Sequence, residues 1–167
     1  MGVNTYLLCF LLFFAFSGLA SAVKMCEYEI YVKTANKVGA GTDSRIGVKL
    51  TSLVKDSFEI RDLASWGKKG PRYNYFERNA LDHFTHKLPC LNAEICSLTL
   101  TSDASKFNAP WLCEDFHLSV NDGDFPYGHH FRVNQWLDSR TRSISIDNCS
   151  PAMDDDKKSV VTTTTVN

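Results

Sequence analysis

Two short segments combine oxygen-bearing side chains with a flexible backbone. Gly39-Ala40-Gly41-Thr42-Asp43-Ser44 is a glycine-rich turn that offers backbone carbonyls and the carboxylate of Asp43. Tyr73-Asn74-Tyr75-Phe76-Glu77-Arg78 contains an amide and a second carboxylate. Because calcium takes about six to eight oxygen ligands from carboxylates, amides and backbone carbonyls, the glycine-rich turn is a candidate for part of a calcium site.

The same polar residues also have purely structural interpretations. Asp43 can cap its own turn, and Asn74 can hold a loop through side-chain-to-backbone hydrogen bonds. Glu77 can pair with Arg78 or Arg45. None of these arrangements needs a metal ion, so both interpretations stay open.

A third segment, Trp66-Gly67-Lys68-Lys69-Gly70-Pro71-Arg72-Tyr73, places a tryptophan among three cations in a Gly/Pro loop. Tryptophan with nearby lysine and arginine is typical of an anchor at the boundary of membrane headgroups. We therefore consider Trp66, Lys68, Lys69 and Arg72 candidate membrane-binding residues. The alternative is that Trp66 packs on the edge of the domain.

Catalytic and zinc sites are not indicated. The chain has no G-x-S-x-G nucleophile motif, and no motif surrounds Cys113. The five histidines have no spacing typical of a structural zinc site. The formal net charge of −1 gives no bulk attraction to nucleic acid. We expect a non-catalytic protein without nucleic-acid partner, catalytic residues or small-molecule substrate.

The N-terminus has the features of a signal peptide, residues 1–22. Tyr6 to Phe16 is almost entirely apolar, and Ala20-Ser21-Ala22 fits the small-residue cleavage pattern. A retained membrane anchor is the alternative, although a span needs about 20 apolar residues. We expect a protein that is secreted or held in the lumen of the endoplasmic reticulum, where disulfides form.

Alternation with a period of two residues dominates the rest of the chain. Cys26, Tyr28, Ile30 and Val32 share one face of a strand, and shorter alternating runs separated by polar turns follow. This pattern predicts an antiparallel β-sandwich or barrel. The alternation slips between Trp111 and Phe116, which predicts a β-bulge near Glu114. From Ser150 onward we expect a disordered tail, residues 150–167.

The order of a strand, Ala40-Gly41-Thr42-Asp43, a second strand, Asn74-Tyr75-Phe76-Glu77-Arg78 and Leu81-Asp82-His83-Phe84 resembles the PLAT domain. That family is named for polycystin, lipoxygenase and alpha-toxin, and the resemblance extends from about Cys26 to Cys149. It is strongest to small secreted plant proteins that consist of one PLAT domain. It implies that residues 23–149 form an all-β antiparallel sandwich of two four-stranded sheets.

The resemblance also implies where a calcium ion would bind. In the family the two loops face each other across the ion, which here implies backbone oxygens near Gly41 and Thr42 with the side chains of Asn74 and Glu77, and Asp43 close by. Tyr75 stands where many relatives have another amide or carboxylate, and Ala109-Pro110 fills a second calcium position. We therefore expect at most one weak calcium site.

Five cysteines follow the signal peptide. Cys26 begins the first strand and Cys149 ends the last, while Cys90 and Cys96 flank a short turn. We expect disulfides Cys26–Cys149 and Cys90–Cys96, pairings that match the plant relatives. Cys113 is left over, either as a buried free thiol or in an intermolecular disulfide.

Two functions are compatible with this interpretation of the sequence. The first is a monomeric module that binds a membrane lipid surface, with calcium as a possible cofactor and a role in plant stress responses implied by the resemblance alone. The second is a calcium-independent module that docks an unidentified protein through a polar sandwich face containing Tyr31, Lys33 and the histidines.

Overall fold

The computed structural model describes residues 23–105 and 110–149, and the backbone of 160–165. The predicted signal peptide, residues 1–22, lies outside the described residues. A single-turn 3-10 helix spans Leu63–Trp66. The strands are β1 Met25–Thr34, β2 Ile46–Ser52, β3 Ser57–Ile60, β4 Leu81–Pro89, β5 Ile95–Ser102, β6 Trp111–Asn121, β7 Tyr127–Leu137, β8 Thr141–Asp147 and β9 Val160–Thr165.

The strands form two antiparallel sheets that pack face to face. The first sheet has the order β4-β1-β6-β7 and the second the order β3-β2-β5-β8-β9. The expected all-β sandwich is confirmed, and β3, β2, β5 and β8 supply the expected four strands of the second sheet. A fifth strand, β9, pairs antiparallel with β8 from Asp147↔Val160 to Thr141↔Thr165.

The strand β9 corrects one expectation about the tail. We expected disorder throughout residues 150–167, yet Val160–Thr165 is extended and paired. The physical reason is composition, because valine and threonine are β-branched and favour strands. Residues 150–159 and 166–167 lie outside the described part of the chain.

The core lies between the sheets and follows the alternation of the strands. Along β1, Tyr28, Ile30 and Val32 are fully buried, while the residues between them are half-buried. Trp111 is also fully buried, and its indole Nε1 donates a hydrogen bond of 3.0 Å to Thr34 Oγ1. The pairing of β6 with β7 shifts register between Cys113 and Asp115, which confirms the predicted bulge.

The disulfide pairing we expected is wrong. The sulfurs join Cys26 to Cys90 and Cys96 to Cys149. Sheet neighbours explain both bonds, because β1 pairs with β4 up to Met25↔Pro89 and β5 pairs with β8 up to Ser97↔Asp147. Each cysteine therefore lies beside its partner at the end of a strand pair. Cys113 is buried and has a free thiol.

The two ends of the sandwich differ in what they contain. At the loop end, β1 finishes at Thr34 and the residue range 35–45 leads into β2; β4 and β6 begin at this end. At the opposite disulfide end lie both disulfides and the turn 122–126. None of the helices in the described part of the chain is long and apolar enough to span a bilayer.

Candidate functional site

The two oxygen-rich segments are in direct contact at the loop end. The backbone N–H of Thr42 donates to the carbonyl of Phe76 at 3.1 Å. Gly41 lies so close to the second segment that a Cβ added there would be 2.8 Å from the backbone nitrogen of Arg78. The contact therefore requires glycine at position 41, and it confirms that the chain brings the two predicted loops together.

A buried carboxylate holds the second segment in place. Asp82 is fully buried, and its Oδ2 accepts a hydrogen bond of 2.7 Å from the backbone N–H of Phe76. Phe76 has a left-handed backbone with φ of 64° and a buried ring. Burial raises the pKa of Asp82, although the Phe76 hydrogen bond and the charge of Lys69 oppose the rise.

Asp82 was missed as a structural residue of the site by reasoning from sequence. The signal was present in the sequence. Asp82 lies two residues before Phe84 in β4, so the two side chains must point to the same, inward face of the sheet. A carboxylate on a buried face needs a partner, and here the partner is the backbone of the neighbouring loop. Its Oδ1 has no hydrogen-bond partner among the described residues.

The two segments form part of the wall of an open cavity of about 370 Å³. Thr42, Asp43 and Asn74 line it, together with Asp62 and Asp103. Thr42, Asp43 and Asn74 are three of the five predicted calcium-binding residues. Gly41 and Glu77 are adjacent rather than lining.

The side chains of Asn74 and Glu77 interact directly. Asn74 Nδ2 donates a hydrogen bond to Glu77 Oε1. Arg45, one of the alternative partners considered for Glu77, lies instead with its Nε 3.8 Å from Asp62 Oδ2. The amide and the carboxylate are therefore close enough to serve one ligand.

The other two carboxylates of the cavity already accept backbone hydrogen bonds. Asp103 Oδ1 accepts from the N–H groups of Arg45 and Ser105, each at 3.0 Å. Burial raises the pKa of Asp103, but these hydrogen bonds outweigh it and hold the pKa below its usual range. Asp62 Oδ1 caps the 3-10 helix by accepting from Ala64 N at 3.2 Å. Both residues therefore shape the cavity wall.

Most polar side chains that line the cavity offer oxygen atoms, which suits a hard cation, and Arg45 is the one basic side chain among the described lining residues. Asp43 is exposed, and Ser44, which also lines the cavity, has a buried Oγ without a hydrogen-bond partner among the described residues. Within residues 23–105 and 110–149, no three His, Cys, Asp or Glu side chains cluster tightly enough to hold a metal ion. A cation here would be coordinated in large part by neutral oxygens.

The segment from Trp66 to Tyr73, which we call the cationic loop, borders the same cavity. Tyr73 lines the cavity, and the Nζ of Lys69 lies 4.1 Å from the centroid of the Tyr73 ring. The backbone N–H of Lys68 donates to the carbonyl of His83 at 3.0 Å, which attaches the loop to β4. Arg72 is exposed. The loop and the cavity thus share one wall at the loop end.

Trp66 is half-buried on the edge of the sandwich. Its ring stacks on His86 with a centroid distance of 4.7 Å and on Phe58 at 6.2 Å. This is the packed position that we considered as the alternative to a membrane anchor. Only part of the indole is available to an outside surface.

The chain matches the PLAT/LH2 domain family over residues 28–145. PLAT domain-containing protein 2 of Arabidopsis thaliana is 37% identical over 126 residues, which cover 74% of this chain and 69% of that protein. The fold is similar to part of the structure of coral 8R-lipoxygenase, with a TM-score of 0.54 and 17% sequence identity. The match covers 71% of this chain and 16% of the lipoxygenase.

Clostridium perfringens alpha-toxin gives a TM-score of 0.52 at 15% identity, covering 90% of this chain and 34% of the toxin. These two structures show the same fold, and they are much longer than this chain. Because the family match covers most of the described sandwich and the plant relative shares more than a third of its residues, the chain belongs to the PLAT/LH2 domain family.

Proposed function

We propose that the protein is a non-catalytic module of the secretory pathway that binds a membrane lipid surface through its loop end, assisted by one calcium ion. The observation that supports this most directly is the shared wall of the oxygen-lined cavity and the cationic loop at Tyr73. In coral 8R-lipoxygenase, calcium activation acts through a C2-like domain.

The residues available to calcium are Asp43, Asn74 and Glu77, with backbone oxygens near Gly41 and Thr42. Asn74 and Glu77 already touch, and the Thr42–Phe76 hydrogen bond holds the two loops together. A bound calcium ion would supply positive charge that neutralises the carboxylates and attracts anionic headgroups. With few carboxylates available, we expect weak binding that an adjacent membrane strengthens.

Lys68, Lys69 and Arg72 supply the second contribution. Each cation close to an anionic surface contributes about 1 kcal/mol, a contribution that falls off within a Debye length. The exposed part of Trp66 lies on the same loop and suits the headgroup region. The cations attract the surface, and the indole provides an amphipathic contact.

Covalent chemistry supports the proposed compartment. Disulfides persist in oxidising compartments, and the structure contains two of them. Together with the predicted signal peptide, this supports secretion or residence in the lumen of the endoplasmic reticulum. A role in plant stress responses follows from the family resemblance alone.

Vesicle flotation tests the proposal. The full chain, purified from a secretory host, is mixed at pH 7.4 with neutral or anionic vesicles, in calcium or in chelator. We expect flotation with anionic vesicles that calcium strengthens. Glu77→Gln and Asp43→Asn should remove the calcium effect, whereas Glu27→Gln, a matched control on β1, should retain it.

The cationic loop is tested in the same assay. Lys68→Gln combined with Lys69→Gln should lower binding roughly thirtyfold, and Lys49→Gln on β2 should leave it unchanged. Absence of flotation for the wild type under every condition at pH 7.4 would reject membrane binding through the loop end.

A calcium-independent protein-interaction module is the second candidate. The packing of Trp66 between His86 and Phe58 favours it, because a stacked indole is less available for membrane insertion. If Trp66→Ala abolishes lipid binding and function in the cell is unchanged, lipid binding is not the function and this alternative is favoured. On the first proposal, both are lost together.

A further inference from the structure

The outer face of the first sheet contains one row of four ring side chains. Strand register pairs Tyr31 with His83 on β4 and with His117 on β6, and it pairs His117 with His130 on β7. The ring centroids are 4.2 Å apart for Tyr31–His83, 6.3 Å for Tyr31–His117 and 6.2 Å for His117–His130. We call these four residues the imidazole row.

Two members of the row face carboxylates. His83 Nε2 lies 3.5 Å from Glu29 Oε1, and His130 Nε2 lies 2.8 Å from Asp115 Oδ1. His117, between them, is exposed and forms no ion pair with any described residue. Protonation of the outer two histidines would neutralise the carboxylates that they face, and protonation of His117 would add an unpaired charge.

The charged groups of this face, including the two carboxylates just named, come from every strand of the sheet and from the cationic loop. Acidic and basic side chains are equally represented among them, so the face is close to neutral while its histidines are neutral. They are Glu27, Glu29 and Lys33 on β1, Lys87 on β4, Glu114 and Asp115 on β6, Arg132 on β7, and Lys68 of the loop.

The imidazole row is continuous with the cationic loop. The carbonyl of His83 accepts from the backbone N–H of Lys68, and Lys68 Nζ lies 3.8 Å from the same Glu29 oxygen that His83 faces. Charge added to the histidines therefore extends the positive loop from β4 to β6 and β7, with the uncharged Tyr31 of β1 between them. A surface attracted to Lys68, Lys69 and Arg72 can continue onto this face without a gap.

We propose that the imidazole row is a pH-dependent docking surface for an anionic lipid membrane, an extension that rests on the proposed membrane-binding function. Histidine gains its charge between about pH 8 and pH 5. The face then changes from nearly neutral to cationic in acidic compartments. Charge complementarity and continuity with the cationic loop identify the partner as an anionic bilayer.

The test compares flotation at pH 7.4 and pH 5.5 in chelator, with phosphatidylserine–phosphatidylcholine vesicles. We expect the partition coefficient of the wild type to rise roughly tenfold at pH 5.5, and the rise to disappear at about 1 M salt, where the Debye length is near 3 Å. The triple variant His83→Gln, His117→Gln, His130→Gln should lack the rise. His129→Gln, which removes a histidine paired with Glu94 on the other side of β7, should retain it.

A second variant decides the matter if the triple variant fails to fold. His117→Arg places a permanent charge at the exposed centre of the row and should raise binding about fivefold at pH 7.4. Three results would overturn the inference. The first is no acid-dependent rise in the wild type, and the second is an undiminished rise in the triple variant. The third is acid-dependent binding to an anionic polysaccharide, polygalacturonate, but not to vesicles.

The two proposals fail in different ways. Calcium-dependent flotation at pH 7.4 without a rise at pH 5.5 removes the imidazole row and leaves the loop end as the binding site. Acid-dependent flotation without any binding at pH 7.4 removes the calcium-assisted loop site and supports the row.

Discussion

The two ends of the sandwich are stabilised by different interactions. The disulfide end has Cys26 bonded to Cys90 and Cys96 bonded to Cys149. The loop end has no covalent cross-link among the described residues. It depends on close contact at Gly41 and on the hydrogen bond from Phe76 N to the buried Asp82.

This difference separates stability from binding. The cavity and the cationic loop, the two candidate binding features, lie at the end that packing and hydrogen bonds hold. Polar loops can therefore vary or move slightly on binding while the disulfides keep β1 joined to β4 and β5 joined to β8 at the opposite end. Changes at the disulfide end should reduce stability without altering the site, and changes at the loop end should alter both.

The largest effect should come from the disulfides. Cys26 and Cys90 are separated by 64 residues and Cys96 and Cys149 by 53. In the chain-entropy model each bond contributes about 4 kcal/mol, so losing both removes most of the stability of a typical domain. We expect reduction to unfold the protein near room temperature, as measured by circular dichroism with and without dithiothreitol.

The pairing itself is tested separately. Peptide mapping under non-reducing conditions should recover Cys26 with Cys90 and Cys96 with Cys149. Cys113→Ser is the matched control, because that thiol is free, and it should remain folded until reductant is added. A Cys26–Cys149 peptide would contradict the structure.

At the loop end, Gly41→Ala should disturb the contact between the two segments. The added Cβ would lie 2.8 Å from Arg78 N and 3.2 Å from Phe76 O, both backbone atoms that cannot rotate away. We expect a loss of about 1–3 kcal/mol, as for other overpacked sites, and weaker calcium binding. Thermal unfolding and calcium titration measure the two effects, and an unchanged melting temperature would show that the loops are not held together as described.

Asp82 allows the buried hydrogen bond and the buried charge to be separated. Asp82→Ala leaves the N–H of Phe76 without its acceptor and should cost about 1–3 kcal/mol. Asp82→Asn keeps an oxygen acceptor without the charge, so it should be at least as stable as the wild type at pH 7.

The sign of the pH effect follows from burial, which raises the pKa of Asp82. A raised pKa means that its contribution is complete below the usual pKa of aspartate and is lost as the pH rises through the raised value. Asp82→Asn should therefore gain stability relative to the wild type between pH 3 and pH 7. Equal urea midpoints for the two proteins at both pH values would show that folding does not raise the pKa of Asp82.

The sequence was sufficient to predict the sandwich, because strand alternation is a local property that residues such as Tyr28, Ile30 and Val32 display directly. It also indicated the meeting of Gly41 with the second segment, through the family pattern. It failed on the disulfides because pairing depends on which strands are neighbours. Only the sheet order places Cys26 beside Cys90.

Two further features could not be read from the order of residues. The imidazole row needs the register of four strands, and its members come from positions 31 to 130 of the chain. The packed position of Trp66 depends on Phe58 and His86, which approach it from two different sheets. Both are consequences of tertiary structure, whereas local patterns report only individual strands.

The smallest effect should come from the ion pairs at the disulfide end. Lys24 Nζ lies 2.9 Å from Asp122 Oδ2 and 2.7 Å from Asp124 Oδ2. The hydrogen bond from Lys24, with those from the N–H groups of Phe125 and Asp124, lowers the pKa of Asp122 to about 2. A lowered pKa stabilises the fold above the usual pKa of aspartate, and this contribution is lost as the pH falls from about 4 toward 2.

Lys24→Ala should therefore raise the pKa of Asp122 toward its ordinary value of 3.8 without reaching it, since the two backbone N–H groups still donate to Oδ1. Carboxyl NMR titration measures the shift, and Lys55→Ala, an exposed lysine of the β2–β3 turn, is the control. Because these charges are exposed, melting temperatures at pH 7 should hardly change. A large loss of stability at pH 7 would mean that the disulfide end depends on its ion pairs as well as its sulfurs, and the contrast with the loop end would then be one of degree.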